Sequence, residues 1–309
     1  MVEFLKKQTL KTKILSGFIF VGVISTVIYV VVDKDSKPPP APEGLNWTNV
    51  CGGALVDCYG AWYYGYNDKT IAEQVDFVKS KGFNFSFFSL PISSNNATMN
   101  YVKDFIIAMN NAGVKVHWMT LEDPSFIDNQ ENALSKVQNI IDFIVRNNLP
   151  VVGIHSDCEA HAGEKPVEER FPTWLEMNRR IRKIIDAAPV KLFFSQAVGW
   201  WYPKKTMDGT LIGGRGYELV SNDLFHFVIP MIYDGTGESP SVVHSRTKDY
   251  LNDGAMVMSG VGFKEFGNTS QMVEGNVFQV KNITLLADTK YQKYFMGSSV
   301  FHNCIMDGW

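Results

Sequence analysis

The sequence predicts an α/β fold, a (β/α)8 TIM barrel preceded by a single N-terminal transmembrane helix, and three observations carry that prediction. Short apolar runs alternate with segments of helical period along most of the chain. Residues 46–309 match the roughly 250 residues that one such barrel occupies. Near the N-terminus the uncharged stretch Ile14–Val32 has the length a bilayer demands, about 20 residues.

The apolar runs fall at 53–58, 83–90, 114–119, 151–157, 190–197, 225–232, 255–261 and 294–301. Continuous apolarity marks parallel strands covered on both faces. Helix-period segments separate most of them, at 69–81, 99–111, 129–147, 167–187 and 241–252. The sixth helical unit is interrupted by Gly213-Gly214-Arg215-Gly216, and the seventh, after Phe266, is weak. No G-x-G-x-x-G follows the first run, which removes the main reason to choose an open dinucleotide-binding sheet.

Lys6, Lys7, Lys11 and Lys13 precede the apolar stretch. Positive flanks stay on the cytoplasmic side. Residues 1–13 are therefore expected to be cytoplasmic, 14–32 a signal anchor, and the remainder lumenal or extracellular, as in a single-pass type II membrane glycoprotein of the secretory pathway or cell surface. A cleaved signal peptide is the competing reading, but its apolar region is usually shorter and ends at a small-x-small site. This one ends Tyr29-Val30-Val31-Val32-Asp33. Residues 33–45, with Pro38-Pro39-Pro40 and Pro42, read as a stiff stalk below the barrel domain of 46–309. N-x-S/T sequons at Asn46, Asn96, Asn268 and Asn282 suit that orientation, while Asn84 begins one inside an expected buried strand.

A net charge of −3 leaves no basic stripe to neutralise phosphates, so no nucleic-acid partner is expected. Aromatic residues make up 13% of the chain, and many Trp and Tyr fall in expected loops: Trp62, Tyr63, Tyr64, Tyr66, Trp200, Trp201 and Tyr202. Such rings stack on flat ligand faces, fill cores, or dock on a protein partner. Four cysteines are too few for a disulfide framework, and no C-x-x-C suggests zinc. Cys58 and Cys304 would end the first and last strands, which are neighbours in a closed barrel, so that pair is the expected disulfide.

The most informative run is Val151-Val152-Gly153-Ile154-His155-Ser156-Asp157-Cys158-Glu159. Strand side chains alternate, so His155, Asp157 and Glu159 share one face and the apolar or small Val152, Ile154, Ser156 and Cys158 the other. Two acids side by side cost energy unless one is protonated or bonded, and a hydrolytic site gains from them. In a barrel, function lies at the C-terminal strand ends. There the sequence places Asp57 to Trp62, Glu122-Asp123, Asp157 and Glu159, Gln196, and Tyr233-Asp234. That is a carboxylate pocket ringed by Tyr and Trp, the composition of a carbohydrate-hydrolysing site.

These residues resemble glycoside hydrolases of family 18, the chitinase-like barrels, whose fourth strand carries D-G-x-D-x-D-x-E. Here the run is Val152-Gly153-Ile154-His155-Ser156-Asp157-Cys158-Glu159, which keeps the last Asp and the Glu. Met231-Ile232-Tyr233-Asp234 matches that family's sixth-strand Met-x-Tyr-Asp, and Tyr59-Gly60-Ala61-Trp62 its first-strand Tyr-x-x-Trp. The resemblance implies that Glu159 is the general acid and then base. It implies that Asp157 orients the substrate's N-acetyl group, that Tyr233 hydrogen-bonds that group, and that Asp234 binds near the same sugar. Tyr59, Trp62, His155, Gln196, Trp200 and Trp201 would contact the glycan, and no metal or cofactor is needed. The departures are Val152 and His155 where the family has Asp, the missing Ser-x-Gly-Gly on strand three, and the missing Trp on strand eight. His155 is expected either to tune Asp157 or to be an interior histidine bonded to it. Three alternatives stand beside the glycosidase: a catalytically inactive chitinase-like lectin, an extracellular structural module, and a muramidase similar to family 25 lysozymes, in which Asp57 would be the early acid.

Overall fold

Eight parallel strands close on themselves in chain order, β8 pairing back onto β1. In this computed structural model the described residues are 40–64, 69–162, 165–202, 224–232, 239–252, 254–262, 270–287 and 293–301, less the side chains of 270–276 and 286–287. The strands are β1 (Tyr59–Tyr63), β2 (Phe85–Ser89), β3 (Lys115–Thr120), β4 (Val151–Ser156), β5 (Phe193–Gly199), β6 (Phe227–Met231), β7 (Val257–Gly262) and β8 (Phe295–Phe301). Around them lie α1 (Ile71–Ser80), α2 (Asn96–Asn111), α3 (Ser125–Asp128), α4 (Gln130–Asn147), α5 (Val167–Asp186), α6 (Pro240–Asn252) and α7 (Ser270–Ala287). Helix starts follow local chemistry: Thr70 and Glu73 form a capping box at α1, and Asn95 and Asn129 cap α2 and α4. The expected anchor 14–32, the stalk to Pro39 and the sixth helical unit lie outside the described residues. Among those described, no helix is long and apolar enough to cross a membrane.

The first strand departs from expectation. Residues 53–58 are not a strand: Gly52 takes φ +78°, Leu55–Asp57 is a 3-10 turn, and Cys51 is bonded to Cys58, with Cα atoms 5.5 Å apart. A cross-link between residues so close in sequence demands a folded-back loop. The strand is instead Tyr59–Tyr63, whose aromatics favour a pleated, packed surface. Three corrections follow. Cys58 is taken by Cys51, so the expected Cys58–Cys304 bond does not form. Asp57 sits at the N-terminal rim, paired with Lys281 of α7, far from the C-terminal mouth where a muramidase would need it. Tyr59 begins β1 at that same rim and packs edge-on against Phe83 at 5.0 Å, away from any sugar.

This N-terminal loop plugs the barrel floor. Trp47, Val50, Cys51 and Cys58 join the core cluster, and Trp47 stacks on Phe193 at 5.2 Å. His117 Nε2 donates to Val50 O at 3.0 Å; a carbonyl only accepts, which sets the tautomer. Above, Phe85, Phe87, Met119, Ile229 and Met258 fill the lumen, so the barrel is a packed core rather than a pore. Helix α7 was weak in sequence because Gly275 and several β-branched residues lower its intrinsic propensity.

Closure rests on a near-contact at the β8–β1 seam. Gly297 has φ +80°, and a Cβ there would lie 2.1 Å from Cys58 O. Gly297→Ala is expected to cost at least about 2 kcal/mol, from the left-handed backbone alone before the clash is counted, read as a lowered urea midpoint.

Candidate active site

The backbone at the end of β4 is clamped around one residue. Asp157 N donates to Thr120 O at 3.1 Å. The Cys158 carbonyl accepts from Trp174 Nε1 at 2.6 Å and from Gln196 Nε2 at 3.2 Å. The Cys158 side chain is wholly buried toward the helix layer. With Cys158 turned outward, alternation sends Asp157 and Glu159 together toward the C-terminal mouth.

The two acids have different surroundings. Asp157 is partly buried and accepts from Tyr64 Oη at 2.8 Å. Burial pushes its carboxyl up to about 7, Glu159 and Glu122 add to the rise, and the Tyr64 hydroxyl opposes it. Glu159 is more open, its side chain 27% exposed, and its Oε2 lies 3.0 Å from His161 Nε2. His161 Nδ1 lies 2.9 Å from Tyr202 Oη, and the ring meets Trp201 edge-on at 4.7 Å. Glu122 accepts from Ser89 Oγ at 2.6 Å, following Leu121, which takes φ +60°.

The expected site residues divide accordingly. Asp157, Glu159 and Trp201 come together at the mouth. His155 does not: it is 0% exposed, stacked on Phe87 at 3.9 Å, and bonded to Trp62 and Ser195 rather than to Asp157. Trp62 Nε1 only donates, so His155 Nε2 accepts and Nδ1 carries the proton toward Ser195 Oγ. Burial, with His117 nearby, holds this imidazole well below its ordinary pKa and hence neutral. Trp62, at 1% exposure, is lumen packing beneath the mouth rather than an open stacking surface. Gln196 is fully buried on the outward face of β5, its amide nitrogen spent on the Cys158 and Ala197 carbonyls. Trp200 has the Arg246 guanidinium 4.1 Å over its ring, so that face is covered. Tyr233, Asp234, Cys304 and Asn268 lie outside the described residues. Asn46 and Asn96 are exposed, and Asn282 is partly buried within α7.

Sequence reasoning placed Glu122 among the strand-end acids without a role, read Tyr64 and Tyr202 only as loop aromatics, and missed His161. His161 lies in the turn after β4, where Ala162 N donates to Glu159 O at 3.2 Å, so strand alternation no longer applies and the turn brings it beside Glu159. Tyr64 follows Trp62 by two residues at the end of β1. Among the described residues, no group of three or more His, Cys, Asp or Glu could hold a metal ion.

No protein-family model and no curated protein sequence matches the chain. Solved structures match it in fold. A GH18 chitinase from Pseudoalteromonas aurantia aligns with TM-score 0.53 at 13% identity, over 79% of this chain and 93% of the chitinase. An endo-beta-1,4-mannanase double mutant from Cellulomonas fimi gives 0.56 at 10%, over 82% and 68%. An exo-beta-1,4-mannosidase from Opitutaceae bacterium strain TAV5 gives 0.57 at 13%, over 88% and 54%. At 10–13% identity these likenesses are of the eight-stranded α/β barrel fold. The likeness extends across several kinds of glycoside hydrolase and does not single out one family.

The raised Asp157 has a thermodynamic consequence. The folded protein keeps a proton there that the unfolded chain loses near pH 4. Stability from this group is therefore full below about pH 4, falls as pH rises, and is gone above about 7. Asp157→Asn removes the ionisable group. Its thermal midpoint is expected to gain roughly 5 °C on wild type between pH 4 and pH 8, and a pH-independent difference would contradict the burial assigned to Asp157.

Proposed function

We propose that this protein is a membrane-anchored glycosidase that hydrolyses N-acetylhexosamine-containing glycans by substrate-assisted acid/base chemistry. The observation that carries the reading is the pair of carboxylates flanking the clamped Cys158, one desolvated and bonded to a tyrosine, the other open to the mouth. Two carboxyl groups held in unlike environments is how an acid/base site separates its roles. Glu159 gives its proton to the glycosidic oxygen as the bond to C1 breaks, and the sugar's own acetamido oxygen closes on C1. Asp157 receives the acetamide N–H and balances the developing positive charge. Glu159, now a carboxylate, takes a proton from the water that reopens the ring. Asp157, titrating near neutrality, exchanges between both of its forms in the range where such an enzyme works. The resemblance to family 18 would bring Tyr233 and Asp234 against the same sugar, with Trp201 along the edge; residues 14–32 would hold the domain on the lumenal or extracellular side.

A second reading, a sugar-binding protein without turnover, draws on one observation. His155 occupies the place of a family acid yet has both nitrogens engaged inside the lumen, so it has no means of sharing a proton with Asp157. Full-length protein and Glu159→Gln, each incubated with chitooligosaccharides and with peptidoglycan, separate the two. The glycosidase reading expects shorter products from wild type and a loss of about 10²–10⁴-fold in Glu159→Gln, with glycan binding retained. Binding without turnover in both proteins selects the lectin, and failure of both to bind any immobilised glycan rejects both readings.

A further inference from the structure

We propose that His161 is a positioning residue for Glu159, its imidazole braced by Tyr202 so that the carboxyl is held in one orientation whether protonated or ionised. The inference rests on the reading of Glu159 as acid and base, and it concerns a residue outside the motif that suggested that reading.

The geometry is a three-member line from solvent to core. Glu159 Oε2 and His161 Nε2 are 3.0 Å apart, and His161 Nδ1 and Tyr202 Oη are 2.9 Å apart. The near end is open, with His161 and Glu159 side chains 24% and 27% exposed. The far end is rigid. Tyr202 is fully buried, its N–H donates to Gly199 O at 3.0 Å, and its ring packs edge-on against Phe171 and Trp174 of α5. A surface His–Glu pair with two free side chains would contribute little; here one end is anchored in the helix layer, so the imidazole is placed before the carboxyl meets it.

The chemistry of the line suits a group that must change protonation. Burial pushes ionisation of the Tyr202 hydroxyl well above the ordinary phenol range, so it stays an O–H that both donates and accepts. When Glu159 is a carboxylate, Nε2–H donates to it and Nδ1 accepts from Tyr202. When Glu159 is an acid, it donates to Nε2 and Nδ1–H donates to the Tyr202 oxygen. The imidazole carries one proton in both arrangements, which are its two tautomers and interconvert by exchange with solvent at the open edge. Either arrangement pairs Glu159 Oε2 with Nε2 and Nδ1 with the Tyr202 hydroxyl, whereas a fixed donor would serve only the carboxylate. Other charged or titratable groups facing this corner are Asp157 on the same segment, Glu122 after β3, and Arg170 of α5, whose Nη2 donates to Pro124 O at 2.6 Å. His155, locked in the lumen, is not available for the task.

The test pairs kinetics with a measurement that needs no turnover. In full-length protein, His161→Ala is expected to lower kcat roughly 10- to 100-fold, the scale of a misplaced reacting group, with KM changed less than about threefold and the pH–rate profile displaced. His161→Gln should recover part of kcat without recovering the profile. In parallel, ¹⁵N-histidine spectra, with His161 assigned by its loss in His161→Gln, should show a tautomer population that moves in both Glu159→Gln and Tyr202→Phe. An unchanged kcat and pH profile in His161→Ala overturns the proposal. So do ¹⁵N shifts indifferent to Glu159→Gln. If wild type cleaves no glycan, the glycosidase reading fails by itself, and the ¹⁵N result alone decides whether His161 orients Glu159.

Discussion

A hydrogen-bonded line crosses the barrel just beneath its mouth, from Trp62 on β1 to His155 on β4 to Ser195 on β5. Much of the site depends on it. These three polar groups share the lumen with His117 among Phe, Met and Ile side chains, where each unpaired polar atom would cost a desolvation penalty. By pairing with one another they close the lumen to the acids above. Asp157, the next residue on that face, finds no partner below it and turns to Tyr64, which repeats Trp62 one strand step higher. The desolvation of Asp157 is therefore a consequence of how the floor beneath it is satisfied.

The two ends of the barrel divide the work. At the N-terminal end, the segment tied by Cys51–Cys58 presses Trp47 and Val50 into the floor through apolar and backbone-directed contacts, with Asp57 paired outward to Lys281. At the C-terminal end, the clamp on the Cys158 carbonyl uses donors from α5 and β5, the two elements that follow β4 along the chain. Holding a carbonyl in this way leaves side chains on either side of it free while their direction is set. Precision at the mouth comes from neighbours that do no chemistry.

What could be read from the chain follows the range of the forces involved. The strands from Phe85 onward were legible because burial on both faces leaves a continuous apolar run. The first was not, because Gly53-Ala54-Leu55-Val56 is equally apolar and nothing local distinguishes a strand from a disulfide-closed turn. That displacement of one element moved Asp57, Cys58 and Tyr59 from the top of the barrel to the bottom and turned Trp62 from a loop residue into lumen packing. Asp157 and Glu159 were legible because alternation is local; His161 was not, since a turn rather than a strand carries the chain from Glu159 to it. Tyr64 and Tyr202 as hydrogen-bond partners were not, since curvature of the barrel brings β1 across to the end of β4 and pairing of β5 with β4 brings Tyr202 there. His155 shows the reverse error: a residue aligned with a family acid was read by position, while its partners, decided by packing, made it structural.

Asp157 and Glu159 are two residues apart on one face, so sequence alone treats them as equivalent. Their neighbours make them unlike. Asp157 lies over the buried Trp62–His155–Ser195 line with a phenol as its partner, an environment that penalises its charge. Glu159 stands at the rim, partly open to water, with His161 Nε2 3.0 Å from its Oε2. Exchanging the two would put the group read as proton donor and acceptor where charge is costly. The order Asp then Glu along this strand thus follows from the direction in which the barrel opens, with the less tolerant position nearer the lumen and the more adaptable one nearer water.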